Sequence, residues 1–75
     1  MRRVGEVVRV AQGLAIVRAP DETDAALGTE ILDDQLSAIG TVVDVFGPVE
    51  RPYVAVSPAD GTHLPGLVGQ AVYAR

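Results

Sequence analysis

Hydrophobic positions along this chain recur in short runs broken by turn-forming residues, a rhythm of strands rather than helices. From Arg3 to Val10 the alternation is partial. Val4, Val8 and Val10 share one parity and Arg3, Val7 and Arg9 the other, which predicts a first strand with one buried and one mixed face. Gln12-Gly13 is a tight connection into Leu14–Ala19, a run apolar enough along its length to be a second strand buried on both sides. The polar stretch Pro20–Gly28 predicts a solvated loop, with room for one helical turn at Thr23–Leu27. Thr29–Asp33 predicts a short third strand ending in a turn at Asp34-Gln35. In the long fourth run Ile39, Thr41, Val43 and Val45 fall on one face, and Gly40, Val42, Asp44 and Phe46 on the other. Tyr53–Ser57 predicts a fifth strand and Asp60-Gly61 a turn. Leu67–Ala74 predicts a last strand interrupted by Gly69, where a bulge or a close backbone approach is expected. Short strands, frequent turns and no helix of useful length predict an all-β fold. The expected form is a small six-stranded β-barrel, closed or nearly so, because closure removes the edges such apolar strands would otherwise expose.

The connection between the fourth and fifth runs departs from this pattern. A plain hairpin has a polar tip, whereas here Phe46, Gly47, Pro48, Val49, Pro52 and Tyr53 crowd the turn, with Val43 and Val45 on the adjoining strand. Two readings stand. These groups either plug one open end of the barrel or meet a partner protein, and the two prolines favour the second by holding the backbone stiff at little entropic cost on binding. Asp44, just before the turn, is expected to shape the loop by accepting hydrogen bonds from turn N–H groups, the alternative being direct contact with the partner.

Composition narrows the picture. A chain of 75 residues predicts one domain, 1–75, and with two Tyr, one Phe and no Trp its core must come from Val, Ile, Leu and Ala. The absence of cysteine removes disulfides, thiolate catalysis and thiolate metal sites together. No run approaches the roughly 18 apolar residues of a membrane span, and Met1-Arg2-Arg3 leads into a charged segment rather than a signal-peptide core. A soluble, cytoplasmic protein with no membrane partner is expected. The formal net charge is −4, and all 6 basic residues are Arg. That balance argues against a domain that grips RNA by itself, since phosphate neutralisation supplies most of the affinity. Acids gather at Asp21-Glu22-Thr23-Asp24 and Asp33-Asp34, a pattern that suits high salt and points to a halophilic source; an ordinary acidic surface is the alternative.

Catalytic chemistry is hard to find. His63 is the only histidine, with no second histidine or cysteine to complete a metal site. Asp33 and Asp34 are adjacent, so on a strand they would point to opposite faces, and a solvated acidic turn is the better reading. Ser37 and Ser57 lack a recognisable base, and Gly61, Gly66 and Gly69 do not form a phosphate loop. No catalytic residue, metal or cofactor is expected, and the chain is not expected to be an enzyme.

The run Val42-Val43-Asp44-Val45-Phe46-Gly47-Pro48-Val49 followed by Pro52-Tyr53-Val54, preceded by Ile39-Gly40 and trailed by Leu67-Val68-Gly69 and Val72-Tyr73, resembles the Gar subunit of H/ACA ribonucleoproteins in its short archaeal form. Arg3-Val4-Gly5-Glu6-Val7 and the Gly13–Arg18 strand extend the resemblance over nearly the whole chain. It implies a six-stranded barrel related to the second domain of translation elongation factors. It further implies a non-catalytic accessory subunit of RNA-guided pseudouridylation of rRNA. Such a subunit binds a dyskerin-type pseudouridine synthase directly through the Phe46–Tyr53 loop and adjoining strand faces, and helps substrate to load and product to leave. Guide RNA and the other ribonucleoprotein subunits would then be indirect partners, with little or no RNA contact. The glycine- and arginine-rich tails of eukaryotic relatives do not appear here, and the acids at Asp33-Asp34 stand where basic character is expected in archaeal ones. A free-standing translation-factor-type barrel that binds RNA or a nucleotide-binding protein is the alternative.

Overall fold

Six strands wind into one closed antiparallel barrel in the order β1-β2-β5-β4-β3-β6, with β6 returning to β1. The structure, a computed structural model, describes residues 2–20 and 25–75. The strands are β1 (Arg2–Ala11), β2 (Leu14–Arg18), β3 (Glu30–Leu32), β4 (Ala38–Phe46), β5 (Tyr53–Pro58) and β6 (Ala71–Ala74). The all-β six-stranded expectation therefore holds. Among the described residues no helix is long and apolar enough to cross a membrane.

Local sequence explains most of the turns. Gln12 and Gly13 both take positive φ, 53° and 74°, as a two-residue hairpin requires if its twist is to match the flanking strands. At the β3–β4 hairpin the Asp33 carboxylate accepts hydrogen bonds from the N–H groups of Gln35 and Ser37, both at 2.9 Å, and this holds a turn in which Leu36 stands at φ 66°. The last strand begins later than its sequence suggests. Leu64–Leu67, with Pro65 and Gly66 inside it, forms a short 3-10 helix. Gly69 then turns at φ 90° and donates its N–H to the Val7 carbonyl at 2.8 Å, so only Ala71–Ala74 pair as β6. The helical turn expected at Thr23–Leu27 begins outside the described residues, as does the whole acidic run Asp21–Asp24. From Ala25 the chain is irregular up to a turn at Leu27–Gly28.

The strand faces differ from simple alternation. In β1 both Val4 and Val7 enter the core, although they are three apart, and in β4 both Ile39 and Val42 do. The register shifts between Arg3 and Gly5 and between Val7 and Arg9 on β1. On β4 it shifts opposite Ile31/Leu32 and between Val42 and Asp44. These bulges insert one extra residue, bend the strand and change which parity faces inward. Val43 consequently does not share a face with Ile39. It is the extra residue of a bulge and is exposed. Gly40 and Gly5 mark close approaches, since a Cβ at Gly40 would overlap the Ser57 carbonyl oxygen and one at Gly5 the Arg18 carbonyl oxygen. The core is aliphatic: Val4, Val7, Val17, Ile31, Val42, Val54, Val56 and Val72 interlock, with Leu67 of the 3-10 helix among them. No polar or charged residue is buried among the described residues, so the interior is held by apolar burial and the hydrogen-bonded wall.

Candidate functional site

The β4–β5 connection and the ends of the strands beside it form the most distinctive surface. Paired residues of adjacent strands share a face. One inward row runs Val7, Val17, Val54 and Val45, and Val45 lies where that row reaches the rim, 37% exposed. The neighbouring outward row runs Phe46, Tyr53, Arg18 and Glu6 across β4, β5, β2 and β1. Along it the Phe46 and Tyr53 rings stack with centroids 5.5 Å apart, and the Arg18 guanidinium lies over Tyr53 at 5.7 Å.

The shape of the loop has identifiable causes. Gly47 turns the chain at φ 87°, and a Cβ there would come within 3.0 Å of Tyr53 Cδ2, so the position favours glycine on both counts. The N–H of Arg51 donates to the Pro48 carbonyl at 3.2 Å, closing a turn over Val49 and Glu50. Pro52 is buried, and its carbonyl accepts from the Ala19 N–H at 3.0 Å, which ties the loop to the end of β2. Val45, Phe46, Gly47, Pro48, Val49 and Pro52 line a hollow of about 270 Å³. Val43, Phe46 and Val49 are exposed, Val49 most of all at 76%, and Tyr53 is half-buried. None of the loop's side chains belongs to the core cluster.

Asp44 does not take the role expected of it. It lies inside β4 opposite Ala55 and is exposed, and among the described residues its carboxylate accepts no hydrogen bond. Turn-holding of this kind is done by Asp33 at the other end of β4, because only there does a carboxylate precede N–H groups left free by the turn. Asp33, Asp34, Asp60 and His63 border a second, polar hollow at that far end. No group of three or more His, Cys, Asp or Glu that could hold a metal is found among the described residues.

One feature escaped the linear reading. Arg3, Arg18 and Arg51, which look dispersed along the chain, line one groove of about 360 Å³ with Gly5, Glu6, Val8, Ala19 and Pro20. No spacing in the sequence signals this. It follows from the pairing of β1 with β2 and from the tie between Pro52 and Ala19, which brings the loop alongside.

The whole chain, residues 1–75, matches the model of the family described as "Gar1/Naf1 RNA binding region". An uncharacterized protein of Methanothermobacter thermautotrophicus (strain Delta H) is 28% identical over 76 aligned residues, which cover 97% of this chain and 82% of that protein.

Proposed function

Since the chain belongs to the Gar1/Naf1 RNA-binding-region family, which ties it to RNA and ribonucleoprotein assembly, we infer that it is a non-catalytic accessory subunit of an H/ACA ribonucleoprotein. In this reading it works in the cytoplasm, docks directly on the catalytic domain of a dyskerin-type pseudouridine synthase, and assists substrate loading and product release in RNA-guided pseudouridylation of rRNA. The supporting observation is the apolar loop. A small domain without cysteine or a buried polar network has little reason to leave Val43, Phe46 and Val49 in water on a stiffened connection unless a partner covers them. Preorganisation by Pro48, Pro52 and the Phe46–Tyr53 stack lowers the entropy lost on docking. Phe46, Val49 and the rim residue Val45 would enter apolar pockets of the synthase, with Gly47, Pro48, Pro52 and Tyr53 setting the loop's shape beneath them.

Calorimetric titration of the chain into the synthase without RNA tests this directly, because the contact is apolar and protein-borne. The expected result is saturable binding. If no heat or co-elution appears without RNA while the chain alone binds guide RNA, the accessory-subunit reading fails and a free-standing RNA-binding barrel replaces it.

A further inference from the structure

We propose that the groove between β1, β2 and the β4–β5 loop binds the phosphodiester backbone of single-stranded RNA, with Arg3, Arg18 and Arg51 as its phosphate-contacting residues. Half of the chain's 6 arginines converge there against one lining carboxylate, Glu6, although the protein as a whole carries a net charge of −4. Among the described residues none of the three forms an ion pair, despite 10 acidic residues in the chain. Gathering three cations around a concavity whose one lining carboxylate, Glu6, is paired across the strands with Arg18 is unfavourable unless an anion completes the site. Guanidinium groups are suited to that anion, because their planar donors match phosphate oxygens in pairs. Arg18 is also positioned beforehand by its place over the Tyr53 ring, 5.7 Å from the centroid.

The shape selects the form of the ligand. The arginines come from two adjacent strands and a loop, so they spread across the groove and suit several phosphates in sequence better than one ion. Family membership supplies the polymer, since the matched region is described as RNA-binding. The acidic hollow at the other end of β4 and β5, bordered by Asp33, Asp34 and Asp60, contains no arginine and would repel the same ligand. Charge is thus segregated along the barrel, and RNA is oriented toward one end. The groove adjoins the apolar loop, which supplies Arg51, while Arg3 and Arg18 come from β1 and β2.

The test titrates the full chain, alone and without synthase, with an oligouridine RNA of about 12 nucleotides at several salt concentrations. Binding should weaken as salt rises, and Arg3→Gln and Arg51→Gln should each reduce affinity roughly three- to tenfold and flatten the log–log salt slope by about 0.7. Arg9→Gln removes the same charge from a residue outside the groove lining and should stay within about twofold of the parent. Arg3 and Arg51 are both exposed and sit on different elements, so circular dichroism of the two variants separates lost binding from lost folding. No binding by the parent at low salt, or equal effects of all three substitutions, would overturn the proposal. Displacement of the RNA by equimolar inorganic phosphate would also overturn it, by showing a single-anion site. Because no synthase is present, a negative result here leaves the docking reading standing, and the reverse also holds.

Discussion

At the scale of single residues, Val49 and Gly40 have opposite importance for folding and for binding. Val49 is 76% exposed, so truncation to Ala should change folding stability by no more than about 0.5 kcal/mol. If it enters a pocket of the synthase, the same change should cost on the order of 1–3 kcal/mol of binding. Tyr53→Ala is a mixed case. It should weaken binding similarly but also lower the unfolding free energy by about 1 kcal/mol, because the ring stacks on Phe46 and carries Arg18. Urea titration and calorimetry on both variants at matched salt separate the two effects. Parent-like binding of Val49→Ala and Tyr53→Ala would move the partner surface to another face. Gly40→Ala should behave in reverse. Its methyl group meets the Ser57 carbonyl, a backbone atom in the paired strand that cannot rotate away, so the loss should be about 1–3 kcal/mol of stability or more, read as a lower urea midpoint.

At the scale of elements, the β3–β4 hairpin depends on one carboxylate. Asp33 satisfies two turn N–H groups and keeps Leu36 at positive φ, a conformation that a branched side chain does not favour. Asp33→Ala should therefore cost about 0.5–1 kcal/mol, the lower part of the usual range because both bonds are exposed to water. Amide exchange at Leu36 and Ser37 should accelerate while the β1–β2 hairpin keeps its protection. Uniform acceleration across both hairpins would show that the Asp33 turn is not an independent unit. The strands around it differ in what they tolerate. β2 is buried on both faces at Ala15, Ile16 and Val17, as its continuous apolar run predicts, whereas the outer end of β4 is exposed from Val43 onward. The loop that follows β4 therefore extends an exposed strand end, which leaves its apolar side chains accessible.

At the scale of the whole molecule, one closed barrel with one aliphatic core should unfold as a single cooperative unit, observed as coincident urea transitions by circular dichroism and Tyr fluorescence. Among the described residues, Glu6, Glu30, Asp34, Asp44, Glu50 and Asp60 are exposed outside that core. With a net charge of −4, screening should relieve self-repulsion, so stability should rise as salt increases through the molar range. A flat or falling dependence would count against adaptation to high salt and leave the fold and family untouched. Salt should act oppositely on the arginine groove, weakening RNA binding while it strengthens the fold. Measuring both on one preparation separates the global charge of the molecule from its local distribution.

Much of this architecture was legible in the sequence because its causes are local. The period-2 runs located the strands, and Gln12-Gly13 and Asp60-Gly61 placed turns at positions where the backbone needs them. The apolar Gly-Pro connection was visible as an anomaly before any strand was paired. What only the tertiary structure decided depends on closure. Bulges at Val8 and Val43 answer the tilt and bend of a barrel, which no single strand encodes, and they exposed Val43 where alternation grouped it with Ile39. Asp44 is the carboxylate the sequence favours for holding a turn, with Asp33 read only as part of a solvated acidic turn, and the hairpin geometry gives the role to Asp33 instead. Arg3, Arg18 and Arg51 are far apart along the chain and become neighbours through strand register, a non-local property set by the packing of the entire core. Local periodicity thus determined the elements, and the closed hydrogen-bond register determined which charges meet.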